Sequence, residues 1–142
     1  MWANRDEYES ETKRRIKATD EDNGWNNLQV VRSISLWENK YPAFAWCTAL
    51  GSGWYLPATN ELKSLLLDSS VYNAVNSTLK SVGAPELAKP NEKKHSEYWV
   101  STESNDKPIN GSYQACTIAM GWMFISDSFK YNQALVRAVA KF

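Results

Sequence analysis

The sequence predicts an α+β domain in which helices pack on a small twisted antiparallel sheet, and three observations predict it. Apolar residues recur at helical spacing from about residue 28 to residue 82. From Tyr98 onward the pattern changes to short runs of β-branched and aromatic residues, with turn signals such as Asn110-Gly111 and Gly121 between them. Helices first and strands after is the α+β order, and the short return connections favour antiparallel pairing. The third observation is the stretch 53–66, where a short aromatic strand over 54–56 is stopped by Pro57, which has no backbone donor. A helix follows, with Thr59 or Asn60 as its N-cap and Leu62, Leu65 and Leu66 as one apolar stripe.

At the start of the chain, residues 4–17 place acids first and bases last, with Glu9/Lys13 and Glu11/Arg15 at i, i+4 and Asn4/Glu7 spaced as a capping box. Apolar residues are sparse there, so residues 1–18 are expected to be a charged, solvated helix or a loosely held arm, and the cluster Lys13, Arg14, Arg15 and Lys17 reads as its solvated face. Residues 19–24 are a turn by composition, with Gly24 free to take positive φ. The acids there lack the spacing and the closing glutamate of a calcium hand, so a plain turn is expected.

Leu28, Val31, Ile34, Leu36 and Trp37 define the next helix, with Asn26 or Asn27 as its cap. Pro42 ends that run and opens a helix over 41–50 so apolar that Trp46 and Cys47 are both expected inside, until Gly51 and Gly53 stop it. Beyond the leucine helix, Ser69 or Ser70 caps a helix striped with Val71, Tyr72, Val75, Leu79 and Val82 and ended by Gly83. Residues 84–97 read as a surface loop that carries His95, the one histidine, which alone anchors no zinc site. Strands are expected over 98–102, 113–120, 122–125 and 134–139.

Composition narrows the function classes. A chain of 142 residues is one domain able to bury roughly 70% of its unfolded surface. Sixteen basic and sixteen acidic residues leave no global field for nucleic acid, and no run approaches the ~18 apolar residues of a membrane span. No nucleic-acid partner and no direct membrane insertion are expected. Seven Trp, seven Tyr and four Phe supply large contact area suited to a core or to a binding face. Cys47 and Cys116 are too few for a disulfide framework and read as buried thiols. A triad of Ser, His and Asp and a glycine-rich phosphate loop have no match in the sequence, so no catalytic residue, metal or cofactor is assigned.

Three signatures stand in order: Trp54-Tyr55-Leu56-Pro57 with Glu61-Leu62, then Tyr98-Trp99-Val100-Ser101-Thr102-Glu103, then Val136-Arg137-Ala138-Val139. With Gly24-x-x-Asn27 and Ala45-Trp46-Cys47, they make residues 19–142 resemble the bacterial domain family found at the C-terminus of a collagen-like adhesin. That family is grouped with the C-type-lectin-like folds, which also include the formylglycine-generating enzymes and the variable proteins of diversity-generating retroelements. Two departures stand out: the family's glycine-rich leading strand has no counterpart ahead of the match, which implies a fragment lacking its first strand, and Val100 replaces a serine of the usual tetrapeptide.

The resemblance implies a C-type-lectin-like fold and an extracytoplasmic, non-catalytic module of a surface or secreted protein, gripping a carbohydrate or a protein through loops 105–132. Its candidate ligand-binding residues are Asn105, Asp106, Asn110, Ser112, Tyr113, Trp122, Ser126, Asp127, Tyr131 and Asn132, types that give adaptable hydrogen bonds and rigid amphipathic contact. Trp54, Pro57, Glu61, Trp99, Thr102 and Arg137 are expected as framework. Both indoles should lie between helices and sheet with their nitrogens bonded, and Arg137 should pair with Glu61 or, second, with Glu103. Calcium-dependent sugar binding is not expected, because Lys89-Pro90-Asn91 puts a cation where a carboxylate is needed. The alternatives are a structural or assembly subunit, including a homo-oligomer, and a cysteine-oxidising enzyme that holds copper(I) between Cys47 and Cys116.

Overall fold

The computed structural model describes residues 1–5, 12–90, 96–104, 113–120 and 124–142. Within them run α1 (Gly24–Arg32), α2 (Trp37–Lys40), α3 (Pro42–Thr48), β1 (Trp54–Tyr55), α4 (Thr59–Leu66), α5 (Ser69–Ser81), β2 (Glu97–Glu103), β3 (Gln114–Ala119), β4 (Phe124–Phe129) and β5 (Val139–Ala140). The protein is α+β, as its sequence pattern predicts. Strands β2, β3 and β4 form an antiparallel sheet in that order, while β1 pairs antiparallel with β5.

Because successive strand residues point to opposite faces, the sheet separates two cores. Trp99 and Ala115 join the larger cluster on one face, built from Trp2, Leu28, Val31, Tyr41, Phe44, Cys47, Tyr55 and Leu56. Tyr98, Val100, Ile118 and Met120 join the smaller on the other, beneath Leu62 and Leu66 of α4, Tyr72 of α5 and Leu87. The leucine stripe read from the sequence is thus the helix face laid on β2 and β3.

Helix starts differ from expectation because α1 and α5 are capped by earlier residues and α4 by groups from elsewhere in the chain. Helix α1 starts earlier, with the Asn23 side chain accepting from the Trp25 and Asn26 amides. Asn27, expected as a cap, is buried and bonded to Asp20 and to the Ser101 hydroxyl. Helix α4 has Ala58 at its N-cap, which has no side-chain acceptor; its first amides are taken by the Thr102 hydroxyl at 3.2 Å and the Glu21 carbonyl at 2.8 Å. Helix α5 is capped by Asp68, one residue before the serines. Its stripe narrows to Tyr72, Val75 and Leu79, as Val71 and Val82 are exposed. Trp46 on α3 is also half exposed, against the expectation that it lies inside, while Cys47 is buried. Gly24 is required by close approach and not by positive φ: a Cβ there would lie 2.3 Å from the Leu56 carbonyl oxygen.

The largest departure is the N-terminal segment. Residues 1–5 and 12–18 are not a loosely held arm, since Trp2, Ala3, Thr12, Ile16 and Ala18 are buried. The Trp2 ring meets Tyr41 and Phe44 edge-on at 5.7 and 5.2 Å, and its indole N–H donates to the Val100 carbonyl at 2.9 Å. The amides of Trp2 and Ala3 both donate to the Lys130 carbonyl. On the other side, the Ala43 amide donates to the Met1 carbonyl and the Asn4 amide to that of Lys40, so the segment ties α2 and α3 to the end of β4. The expected charge pairs of Glu9 and Glu11 and the Asn4/Glu7 box involve positions outside the described residues.

The C-terminal strand is shorter than expected, being β5 preceded by a lone parallel bridge of Leu135 to Tyr98. Strand β4 runs from Phe124 to Phe129, past the apolar run that suggested a strand over 122–125, because ladder bonds to β3 continue through the polar Ser126-Asp127-Ser128.

Candidate functional site: the β4 strand and its following turn

Strand β4 pairs with β3 and, among the described residues, with no other strand. Phe124, Ile125 and Phe129 are each at least 40% exposed. The register sets Asp127 opposite Cys116 and Phe129 opposite Gln114 on the face that carries the smaller core, and Ser126 opposite Thr117 and Ser128 opposite Ala115 on the other. The candidates Ser126 and Asp127 therefore do not share a surface.

Two separate clusters result. In the first, Phe129 stacks on Tyr131 with centroids 5.4 Å apart and planes 8° from parallel, and the Arg5 guanidinium lies 4.7 Å from the Tyr131 centroid. Exposed Asp127 shares the Phe129 face of β4. In the second, Asn132 donates to the Ser128 hydroxyl at 3.0 Å and both line a half-open depression of about 450 Å³ together with Glu97 and Gln133. Tyr113 sits beside this turn, its carbonyl accepting from the Lys130 amide at 2.8 Å. Asn105, Asp106, Asn110, Ser112 and Trp122 lie outside the described residues, as does His95.

The turn is anchored from below by Lys130, which is wholly buried and paired with the equally buried Glu103. The Lys130 ammonium also donates to the Arg14 carbonyl at 2.8 Å and lies 4.8 Å from the centroid of the Trp2 ring. Glu103 accepts in addition from the amides of Ile16 and Lys17 at 3.1 and 2.8 Å, and Lys17 adopts φ of 66°, unusual for a side chain with a Cβ. Neither Lys130 nor the N-terminal anchor was visible as a motif. The available signal was a charged residue closing an otherwise amphipathic strand, with Phe129 and Tyr131 two residues apart on one side of it.

The framework candidates meet at a different place. Glu61 accepts from the Ala58 and Gly24 amides at 2.8 and 2.9 Å through one oxygen and from the Tyr55 hydroxyl at 2.7 Å through the other. It staples the starts of α1 and α4 to β1. Burial first, then the hydrogen bond and charge of Glu61, push the Tyr55 hydroxyl up to about 12. Thr102 bridges the same junction, accepting from the Thr59 amide and donating to the Asp20 carbonyl, while the Pro57 carbonyl accepts from the Ser101 amide at 2.7 Å.

Three expectations are corrected here. Arg137 pairs with neither Glu61 nor Glu103, whose oxygens are occupied as described; it donates to the Pro85 carbonyl at 3.2 Å, and its buried Nε has no partner among the described residues. Trp99 is buried between helices and sheet, but its indole nitrogen has no acceptor among the described residues. Trp54 is 37% exposed beside Gly51, because its neighbour Tyr55 takes the inward position on β1.

Cys47 and Cys116 are free and belong to cores on opposite faces of the sheet. Burial raises both thiols to about 12, reinforced at Cys116 by the charge of Asp127. Among the described residues no three His, Cys, Asp or Glu side chains group as a metal site, and no helix is long and apolar enough to cross a membrane. Comparison of the chain with protein-family models, with curated proteins and with solved structures finds no match.

Proposed function

We propose that this is a C-type-lectin-like, non-catalytic binding module of a bacterial surface or secreted protein, which takes a carbohydrate or protein ligand on the outer strand β4 and the turn after it. The observation that supports this most directly is the Phe129 and Tyr131 stack beside exposed Asp127, its two residues flanking Lys130, which Glu103 locks in place. The exposed Phe129 ring, backed by Tyr131 and the Arg5 guanidinium, offers its apolar face to sugar C–H groups or to an apolar side chain, and the carboxylate beside it fixes orientation. Little ordering entropy is lost on binding, since both rings are already stacked. The thiols favour a non-catalytic role: each is held protonated at neutral pH, and the two are on opposite sides of the sheet. An extracytoplasmic location, and diversification of these loops as in retroelement variable proteins, belong to the same proposal and rest on the sequence resemblance.

An array of uncharged oligosaccharides and uncharged peptides, probed with the protein and with Tyr131→Ala and Asp127→Ala, tests this. Hits that disappear in both variants are the expected result. Binding that survives both removes this face.

A second reading has its own observation. Phe124 and Ile125 lie exposed on β4, whose outer edge has no paired strand among the described residues, and an apolar edge is suited to pairing with a second copy of the chain. Light scattering then shows a dimer that Ile125→Lys converts to monomer. A monomer at all concentrations ends this reading and leaves the ligand reading intact.

A further inference from the structure

Far from β4 in sequence, four side chains from three elements alternate cation and ring. On α1, Trp25, Gln29 and Arg32 recur at i, i+4, i+7 and so share one face. Gln29 bonds back to the Trp25 carbonyl, and the Arg32 guanidinium lies between two indoles, 5.6 Å from the Trp25 ring and 5.9 Å from that of Trp37 on α2. Long helical side chains lean toward the helix N-terminus, which brings Arg32 back over Trp25. The Lys141 ammonium, just beyond β5, lies 5.4 Å from the same Trp25 ring. Its position is fixed by the backbone, since the Lys141 amide donates to the Gly53 carbonyl at 2.9 Å, and Trp25 is itself braced edge-on by Tyr55 at 5.9 Å.

Arg32 and Lys141 are exposed, and neither has a carboxylate partner or a hydrogen-bond acceptor for its charged group among the described residues. Glu61, which reaches this network through Tyr55, is already occupied by two amides and the Tyr55 hydroxyl. In a chain of zero formal net charge, this is a local concentration of uncompensated, positioned positive charge. Rings beneath the cations restrict their motion while leaving outward N–H donors free, so an incoming anion meets groups that are partly ordered beforehand.

We infer that this cation and indole ladder is a second binding surface, separate from β4, and that its occupant is an anionic polysaccharide carrying sulfate or carboxylate groups. Charge complementarity selects an anion. The ring arrangement selects the class: Trp25 and Trp37 already have cations against them, so the site offers charge contacts without the free aromatic faces that stack the bases of single-stranded nucleic acid. Guanidinium and ammonium together suit alternating anionic groups along a sugar chain, the first by paired hydrogen bonds and the second as a point charge.

The test uses the full chain, a heparin-derived octasaccharide, a neutral dextran of the same length and a single-stranded DNA octamer, with Trp fluorescence and calorimetry as readouts. Expected is binding of the sulfated chain that weakens as salt rises, no binding of dextran, and weaker binding of the DNA. Arg32→Gln with Lys141→Gln should lower affinity about tenfold or more, the loss of two charge-assisted contacts. Both side chains are exposed, so the double variant should fold, which an unchanged unfolding midpoint verifies. Tyr131→Ala should leave this binding unaltered, which separates it from the β4 face. Absence of binding at low salt, equal binding by the double variant, loss with Tyr131→Ala instead, or equal or tighter binding of the DNA each overturns the inference.

Discussion

Strands β2 and β4 belong to one sheet and sit two ladders apart, yet they hold opposite positions in the molecule. Every residue of β2 after Glu97 is buried, while on β4 exposed residues alternate with half-buried ones from Ile125 onward and no residue of the strand is buried. Both faces of β2 carry a core, so its sequence is a continuous run, Tyr98-Trp99-Val100, closed by Ser101, Thr102 and Glu103, each of which has a named partner. Strand β4 has one strand neighbour among the described residues, and its residues are correspondingly less constrained by packing. Buried framework and exposed surface are thus divided by strand order, and β3 separates them.

The largest expected effect comes from the closed end of β2. Glu103→Ala leaves the Lys130 ammonium buried without its carboxylate and frees the Ile16 and Lys17 amides, at a cost of about 3–5 kcal/mol in urea unfolding. The N-terminal segment should detach with it, seen as faster hydrogen exchange at Trp2 and Ala3. Replacing both partners, Glu103→Met with Lys130→Met, should recover part of the loss. If Glu103→Ala costs under about 1 kcal/mol, the comparison between the strands fails, because β2 would then be no more constrained than an ordinary surface strand.

A smaller effect tests the junction beneath β2. Gly24→Ala places a methyl against the Leu56 carbonyl, backbone that cannot turn aside, and overpacking of this kind costs about 1–3 kcal/mol. A neutral Gly24→Ala would mean that α1 shifts freely on the 54–58 segment and that Glu61 does not fix their spacing.

What was legible in the sequence follows the same division. Helices that bury one stripe announced themselves, as Leu62 and Leu66 did, and so did β2 through its aromatic run. Caps were misplaced for two reasons: α1 and α5 use Asn23 and Asp68, each a little ahead of equally plausible cap residues, while nothing near Ala58 in sequence reveals that Thr102 and Glu21 take the first amides of α4. The N-terminal segment misled for a related reason. Its charges outnumber its apolar residues, but Trp2, Ala3, Ile16 and Ala18 join the core, the Trp2 indole bonds to Val100 and Glu103 receives the Ile16 and Lys17 amides, contacts separated by more than eighty residues. Arg137 was assigned a carboxylate by chemistry alone, and both carboxylates had nearer donors. The candidate binding residues on β4 were chosen by type without a face assigned to each, because the strand extends through a polar centre and its register cannot be read without its partner.

The smallest expected effect on stability sharpens the comparison most. Ile125→Ala, Phe129→Ala and Tyr131→Ala remove apolar surface that is already partly in water, so each should change unfolding free energy by about 0.5–1 kcal/mol or less. Trp99→Ala on β2, wholly buried, should cost about 3–5 kcal/mol by the same measurement. A functional surface on β4 requires this asymmetry: residues that contribute little to the fold can be exchanged for ligand without unfolding the scaffold. Should Phe129→Ala destabilise as much as Trp99→Ala, then β4 is framework too, its exposed rings are held for packing against groups outside the described residues, and the binding face must be sought on another part of the molecule.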